Sequence, residues 1–219
     1  MLDDIVMTKQ QEIEAAKREL PLEDLQARLA NHLADRSFRQ ATHQAGKLSL
    51  IGELKRKSPS RGMLRERFDP VSLAQALEEA GASALSVRTD ETYFGGHLDF
   101  LRDAKQFTEL PVLRKDFVVD PYQVYEAAFY GADAVLLIVR ILTEEQLIAC
   151  MQATDGLGIE PFVEVHSEDE LRTALRCGAH VLGLNHRDLR TFQLDATLSE
   201  RLIPRIPAGK LIVAESGIQ

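Results

Sequence analysis

The sequence predicts an α/β protein with a parallel sheet, in which strands alternate with helices. From Leu48 onward, short apolar runs alternate with amphipathic helical stretches about every 25 to 35 residues, which is the pattern of βα units. The runs are nearly continuous in Leu, Val and Ile, which indicates strands buried on both faces. A Gly-Ala pair closes three helical stretches directly before the next strand, at Gly81, Gly131 and Gly178. This recurrence indicates an internal repeat.

Two helical stretches precede the repeat. Residues 3–19 are mostly charged, with apolar positions at helical spacing. Pro21 interrupts this pattern before a second helical stretch over residues 22–34. We therefore expect a helical extension over residues 1–47 and a main domain over residues 48–219.

Seven candidate strands follow, at residues 49–54, 84–88, 111–114, 134–139, 161–165, 181–185 and 211–215. Capping residues mark helix starts at Asp69-Pro70, Asp120-Pro121, Thr143 with Gln146, and Ser167 with Glu170. Such strands form either an open doubly wound sheet or most of a barrel. A glycine-rich phosphate loop after the first strand would favour the doubly wound sheet, and the sequence has none there. The barrel is therefore the better prediction.

Composition narrows the class of protein. The formal charge of -8 argues against a protein that coats nucleic acid or an anionic membrane, although a local basic site for a small phosphate stays compatible with it. The two cysteines, Cys150 and Cys177, have neither CxxC nor Cys/His spacing, so we expect neither a disulfide framework nor a zinc site. No signal peptide and no membrane-spanning apolar run is recognisable. We expect a soluble cytoplasmic protein.

Charged and amide side chains recur where the candidate strands end, namely Glu53, Lys55, Lys115, Glu164, Asn185 and Glu215. The carboxyl ends of parallel strands converge on one mouth of a barrel, so these side chains would line one pocket. The alternative is that each charge marks the emergence of a strand into solvent or serves a structural ion pair. Burying an unpaired charge costs on the order of several kcal/mol, so the cluster implies mutual pairing or a charged ligand.

The segment that contains the first of these charges reads Ile51-Gly52-Glu53-Leu54-Lys55-Arg56-Lys57-Ser58-Pro59-Ser60. It closely resembles the first-strand signature of the indole-3-glycerol-phosphate synthases. Further segments follow in the order of that family: Leu85-Ser86-Val87, Val112-Leu113-Arg114-Lys115-Asp116-Phe117, Val163-Glu164-Val165, Asn185-His186-Arg187-Asp188-Leu189 and Ala214-Glu215-Ser216-Gly217-Ile218. The resemblance covers residues 48–219, and the ordered set is far more specific than any single motif.

The resemblance implies a (β/α)8 TIM barrel with an N-terminal helical extension. It also implies a carbon-carbon lyase of tryptophan biosynthesis that acts on 1-(2-carboxyphenylamino)-1-deoxyribulose 5-phosphate, with loss of carbon dioxide and water, and that needs no metal or organic cofactor. The rival enzyme would be a related phosphate-binding barrel of the same pathway. Those barrels lack the combination of Glu53, Lys55, Lys115 and Glu164.

The resemblance also suggests roles for the catalytic candidates. Lys115 would protonate the developing alkoxide, and Glu164 would transfer protons as acid or as base, which stays open because burial raises and Lys115 lowers its pKa. Glu53 would orient the lysines, Lys55 would pair with the substrate carboxylate or phosphate, and Asn185 would offer its amide.

The expected substrate-binding residues are Ser58, Pro59, Phe94, Leu136, Arg187, Glu215, Ser216 and Gly217. Ser216 and Gly217 would begin the phosphate cradle that barrels build after strands seven and eight. Phe94, Pro59 and Leu136 would wall the anthranilate ring, although such residues are more often core.

Three departures accompany the resemblance. His186 stands where relatives more often have Asn or Ser, and Arg88 ends a strand where an apolar residue is common. The third is the end of the chain soon after strand seven, so we expect the eighth strand and part of the phosphate site to be lacking. Unpaired edges then predict negligible activity and self-association through the open barrel edge. The alternative from another class is an inactive fragment, or half of a protein fused to or assembled with an isomerase domain.

Overall fold

The computed structural model describes residues 2–44 and 46–217. Three helices come first: α1 (Leu2–Glu19), α2 (Leu22–Arg28) and α3 (Phe38–Thr42). The predicted second helix is therefore too long, since the chain turns after Arg28 and the Ala34 N–H donates to the carbonyl of Leu157 instead of extending the helix. Ile218 of the last motif and Met1, Ala45 and Gln219 of the expected domains lie outside the described residues.

The remaining elements follow in chain order as β1 (Ile51–Leu54), β2 (Lys57–Ser58), β3 (Gly62–Met63), α4 (Pro70–Glu79), β4 (Ala84–Arg88), α5 (Glu91–Phe94), α6 (Leu98–Phe107), β5 (Val112–Lys115), α7 (Tyr122–Phe129), β6 (Ala134–Ile138), a 3-10 turn (Val139–Ile141), α8 (Glu144–Leu157), β7 (Glu160–Val165), α9 (Glu168–Arg176), β8 (Val181–Asn185), α10 (Leu198–Leu202), a second 3-10 turn (Ile203–Arg205) and β9 (Leu211–Glu215). All the predicted strands are present, with small shifts at their ends. The β2–β3 hairpin was not predicted, because strands this short show no periodicity.

The long strands form one curled parallel sheet of seven strands in the order β1-β4-β5-β6-β7-β8-β9. Each strand pairs with the next one along the chain, apart from the β2–β3 hairpin, which is a separate two-stranded sheet. The parallel α/β class is thereby confirmed. In the described residues β1 and β9 are the two edges of the sheet, and the absence of an eighth strand stays a prediction.

Alternate strand residues enter two apolar clusters on opposite faces of the sheet. The larger cluster packs the outer face, for example Leu85 and Val163, against the helices. The inner cluster includes Leu136 and Phe162 and fills the curl. Phe38 of α3 packs edge-on against Phe162, with ring centroids 6.0 Å apart. Phe38 and the inner cluster thus fill the interior of the curled sheet. The carboxyl ends of the strands are left open, and a functional site can form there.

Local signals fix most helix ends as predicted. Thr143 and Gln146 form a complete capping box at the start of α8. At the start of α9 the Ser167 hydroxyl accepts from the Glu170 N–H, but the Glu170 carboxylate accepts from the backbone N–H of His166 at 2.7 Å rather than from Ser167. The predicted capping box is therefore only half formed, because the Glu170 carboxylate accepts from His166 instead of from the backbone N–H of Ser167.

The helical extension is joined to the sheet by a buried lysine. Lys9 of α1 is 3% exposed, and its Nζ lies 2.9 Å from Asp90 and 3.1 Å from Asp116. These carboxylates follow β4 and β5, so α1 is held against two loops at the carboxyl ends of the strands. Burial alone would lower the pKa of Lys9, but the two carboxylates raise it above its usual value.

Candidate functional site

A cavity of about 460 Å³ lies at the carboxyl ends of the strands. Most of the expected site residues line it, namely Glu53, Lys55, Ser58, Pro59, Phe94, Lys115, Asn185, Arg187, Glu215, Ser216 and Gly217. A cavity of about 860 Å³ at residues 34–40 and the amino ends of β7 and β8 is larger but lies away from this charge cluster. The chemistry of its lining therefore makes the smaller cavity the candidate site.

Lys115 lies at the base of the cavity and is 5% exposed. Its Nζ lies 3.0 Å from Oε2 of Glu164 and also donates to Oε2 of Glu215. The ammonium is 5.6 Å from the centre of the Phe162 ring. Burial alone would lower the pKa of Lys115, but Glu164 and Glu215 outweigh it and raise the pKa above its ordinary value. The side chain is therefore a buried ammonium that is held by two carboxylates.

Glu164 lies beside Lys115 and is 1% exposed. Burial alone would raise its pKa, but Lys115 and then His166 hold the pKa of the carboxyl well below its usual range. The Oε1 atom of Glu164 lies 3.3 Å from Nε2 of His166. Glu164 is therefore an anion, and it does not line the cavity itself.

Glu215 lies on the other side of Lys115, and burial raises the pKa of its carboxyl to about 7. Within the described residues its Oε1 has no hydrogen-bond partner. The carboxyl fits only because residue 183 is a glycine: a Cβ at Gly183 would lie 2.3 Å from Oε1 of Glu215 and 2.4 Å from Cε1 of Phe162. Glu215 is consequently a largely buried carboxyl, with its side chain 16% exposed, that can exchange a proton near neutral pH.

Glu53 also lines the cavity and forms ion pairs with two cations. Its Oε2 accepts from Lys55 Nζ, and its Oε1 lies 3.0 Å from Nε of Arg88. Burial alone would raise the pKa of Glu53, but Arg88 and Lys55 lower it to about 2. The Arg88 guanidinium lies 4.2 Å from the centre of the Phe94 ring, so this arginine covers the aromatic wall that the sequence predicted.

The loop after β8 supplies the polar side of the cavity. Asn185 is paired with Glu215 in the sheet register, and its Oδ1 accepts from the backbone N–H of Arg187 at 3.0 Å. His186 holds the next strand end, since its Nδ1 lies 2.9 Å from the carbonyl oxygen of Glu215 and 3.1 Å from that of Ser216. Ser216 has a positive φ of 65°. The backbone turn at Ser216 and Gly217 is therefore fixed from the side by His186.

Leu136 is the expected wall residue that the structure places elsewhere. It is 1% exposed and belongs to the inner core with Leu113 and Phe162, and it is not among the residues that line the cavity. Alternation along β6 turns Leu136 inward, below the strand ends, so packing takes precedence over access to the cavity.

Sequence reasoning missed three residues of this arrangement. Arg88 was noted only as a departure, although its position at a strand end was a signal for the site. His166 stands two residues after Glu164, and that proximity was the available signal. Phe162 stands two residues before Glu164 on β7, so the two side chains lie on the same face of the strand and the inward direction of Phe162 followed from that spacing.

Across residues 2–44 and 46–217, no group of three or more His, Cys, Asp or Glu side chains is arranged to hold a metal ion. In the same part of the chain, no helix combines the length and apolar character that a membrane crossing requires.

The sequence matches one protein family along its length and is similar to curated members of that family. The family model described as indole-3-glycerol phosphate synthase matches residues 2–219. The indole-3-glycerol phosphate synthase of Caldanaerobacter subterraneus is 44% identical over 219 residues, which cover 100% of this chain and 84% of that protein. The synthase of Leptospira interrogans is 45% identical over 219 residues, covering 100% of this chain and 83% of that protein. The synthase of Campylobacter fetus is 41% identical over 218 residues, covering 100% of this chain and 84% of that protein.

Solved structures resemble the fold at low sequence identity. KGPDC from Streptococcus mutans has a TM-score of 0.57 and 13% identity, and the match covers 78% of this chain and 79% of that one. The 3-keto-L-gulonate-6-phosphate decarboxylase from Vibrio cholerae has a TM-score of 0.55 and 11% identity, covering 78% of each chain. At these identities the likeness concerns the TIM-barrel-like fold alone.

Proposed function

The chain belongs to the indole-3-glycerol phosphate synthase family, and we propose that it performs that carboxy-lyase reaction of tryptophan biosynthesis in the cavity at the strand ends. The substrate is 1-(2-carboxyphenylamino)-1-deoxyribulose 5-phosphate. The observation that carries this assignment is the Lys115 ammonium, held between Glu164 and Glu215 at the base of the cavity. A buried ammonium in this position can meet the oxygen of a bound ketone.

Ring closure begins when the aromatic carbon that bears the carboxylate attacks the ketone carbon. Lys115 donates a proton to the ketone oxygen as it becomes a hydroxyl, which removes the developing negative charge. The bond between the ring carbon and the carboxylate then breaks and carbon dioxide leaves. The electron pair of the broken bond stays on the ring and restores its aromaticity. Loss of the hydroxyl as water, with a proton from the neighbouring carbon, completes the pyrrole ring.

Glu164 and Glu215 have different roles in the remaining proton transfers. Glu164 stays ionised beside Lys115 and stabilises the ammonium, while the pKa of about 7 suits Glu215 to take up and return a proton near neutral pH. Because both carboxylates share Lys115, they titrate as a coupled pair. In this proposal Glu164 is the anionic partner. Glu215 takes the proton from the neighbouring carbon and passes it to the departing hydroxyl, which leaves as water. Lys115 regains from solvent the proton that it gave to the ketone oxygen.

Anion recognition is assigned to the rim of the cavity. Lys55 and Arg187 supply positive charge for the substrate carboxylate and phosphate, and the backbone turn at Ser216 and Gly217 supplies N–H groups for the phosphate. Asn185 offers its amide to the hydroxyls, and Glu53 holds Lys55 in place. Ser58, Pro59 and Phe94 form the wall on which the anthranilate ring packs.

The curled sheet, flanked by helices and preceded by α1 to α3, supports a (β/α)8 barrel of which residues 48–219 form strands one to seven, with a helical extension over residues 1–47. A biosynthetic role of this kind is cytoplasmic. The edges at β1 and β9 are the surfaces through which a second copy or a partner isomerase domain would associate.

The test is incubation of the purified protein with the substrate, while the fluorescence of the indole product is followed. The proposal expects fluorescence that rises with time and with protein concentration. The rival assignment, an isomerase of the same pathway, expects conversion of the preceding aldose phosphate without loss of carbon dioxide. No indole product from native, folded protein would refute the proposal.

A further inference from the structure

His166 lies at the end of β7, two residues after Glu164, and its side chain is 2% exposed. Nε2 of the ring lies 3.3 Å from Oε1 of Glu164, and Nδ1 lies 3.2 Å from Oε2 of Glu170. The Nδ1 contact is a hydrogen bond, whereas Nε2 has no hydrogen-bond partner among the described residues and meets Glu164 as an ion pair only. Both ring nitrogens therefore lie close to carboxylate oxygens, one from the strand and one from α9.

This geometry sets the charge of the ring. A neutral imidazole has one N–H and one lone pair, so one of its nitrogens would direct a lone pair at a carboxylate oxygen. The imidazolium instead presents an N–H and positive charge to both carboxylates, through a hydrogen bond at Nδ1 and an ion pair at Nε2. In agreement, burial alone would lower the pKa of His166, but Glu164 and Glu170 raise it to about 9.

His166 is one member of a longer row of alternating charges. Glu170 also accepts from Nε of Arg140 at 2.8 Å, and Nη1 of Arg140 lies 2.5 Å from Asp188. The row runs from negative to positive in turn through Glu215, Lys115, Glu164, His166, Glu170, Arg140 and Asp188. It joins the base of the cavity to the loop after β8 that carries Arg187.

We propose that His166 is a positioning residue for the reaction: its imidazolium fixes Glu164 as an anion, with Oε2 turned to Lys115. This inference rests on the proposed function. Four charged groups decide its protonation, namely Glu164 on its own strand, Glu170 on α9, Arg140 behind Glu170 and Lys115 on the far oxygen of Glu164. Without the imidazolium, Glu164 would lose one of its two cationic neighbours, and the carboxyl would be protonated more easily.

The first arm of the test measures protonation directly. Nitrogen-15 NMR of the histidine rings follows the wild-type protein from pH 6 to 10, and the His166 signal is assigned by its loss in His166→Gln. We expect both ring nitrogens to carry protons at pH 7.5 and the midpoint to lie near 9. In Glu170→Gln the midpoint falls, because one of the two carboxylates that hold the proton is gone. A wild-type His166 that titrates near the unperturbed value of about 6.5 would overturn the proposal.

The second arm measures the reaction. The glutamine in His166→Gln is neutral and donates only from its one amide nitrogen. We expect kcat at pH 7 to fall about ten-fold and KM to change less than kcat. We also expect the acidic limb of the pH profile to move to higher pH. His180→Gln is the matched control, since His180 is exposed at the opposite end of the sheet. An unaltered pH profile and kcat in folded His166→Gln would overturn the positioning role.

The two arms separate this inference from the function itself. Wild-type protein without synthase turnover contradicts the proposed function, and with it the role of His166 in that reaction, whatever the NMR midpoint. Wild-type turnover with His166 neutral at pH 7.5 contradicts the inference alone. If His166→Gln does not fold, the wild-type NMR midpoint and the pH profile of Glu170→Gln decide.

Discussion

The Nζ atom of Lys115 lies 3.0 Å from Oε2 of Glu164, although the two residues stand 49 positions apart in the chain. Lys115 ends β5 and Glu164 lies near the end of β7, so the curl of the sheet brings them together across β6. Both are almost completely buried. Fixing a buried ion pair in advance lowers the reorganisation that proton transfer to substrate requires.

Replacing Lys115 by Ala should lower kcat by at least about 100-fold with a smaller change in KM, because a general acid acts mainly in the transition state. Steady-state kinetics measure the effect. Lys105→Met is the matched control: Lys105 forms a comparable ion pair with buried Asp133 at 2.7 Å, away from the cavity, so this variant should lose stability but keep kcat. Equal effects of the two substitutions on kcat would show that Lys115 is structural.

Lys55→Ala should mainly weaken binding of the substrate and of product-like phosphates. Lys55 lines the cavity and is only partly buried, so part of its contribution is charge attraction that salt screens. We expect the affinity difference between wild type and variant to shrink as ionic strength rises, measured by titration calorimetry at several salt concentrations. Lys210→Ala, at the other end of β9, serves as the control. Unchanged affinity in Lys55→Ala would exclude this lysine from anion recognition.

Gly183→Ala should disturb the site without altering any charged residue. The added Cβ would collide with the carboxyl of Glu215 and with the Phe162 ring, so both side chains must shift. Overpacking of this kind typically destabilises by about 1 to 3 kcal/mol, and displacement of Glu215 should also lower kcat. Gly156→Ala in α8 is the comparison, since a Cβ there meets nothing within 4 Å. Full activity in Gly183→Ala would mean that the position of Glu215 is unimportant.

His186→Asn should weaken phosphate binding more than it lowers kcat. The ring holds the carbonyls of Glu215 and Ser216, and its Nε2 lies 2.8 Å from the hydroxyl of Ser199, so its loss frees the turn that offers N–H groups to phosphate. We expect the dissociation constant of inorganic phosphate to rise several-fold, measured by competition with substrate. Ser199→Ala should have a smaller effect in the same direction. Unchanged phosphate affinity in both variants would separate His186 from the phosphate site.

The sequence predicted most of the fold, because long apolar strands and capped helices are local signals. The placement of Glu53, Lys55, Lys115 and Asn185 around one cavity was predictable for a similar reason, since each stands at or beside the end of a strand and strand ends converge in a parallel sheet. Ion pairs between side chains were harder to predict. The sequence places His166 two residues after Glu164, but it does not show that Glu170 on α9 contacts the other side of the His166 ring. Leu136 was predicted as a wall of the cavity but lies in the inner core below it. The sequence does not show how far this core extends along the strands, so the depth of Leu136 could not be predicted.

The most direct test of the account is a single-turnover experiment with substrate labelled with carbon-13 in its carboxylate. Excess wild-type protein should release one labelled carbon dioxide for each indole-3-glycerol phosphate formed, and Lys115→Ala should bind the substrate but release labelled carbon dioxide at least about 100-fold more slowly. Equal rates of release in wild type and Lys115→Ala would contradict the assignment of Lys115 as the acid of ring closure, and product formed without loss of the label would contradict the proposed reaction itself.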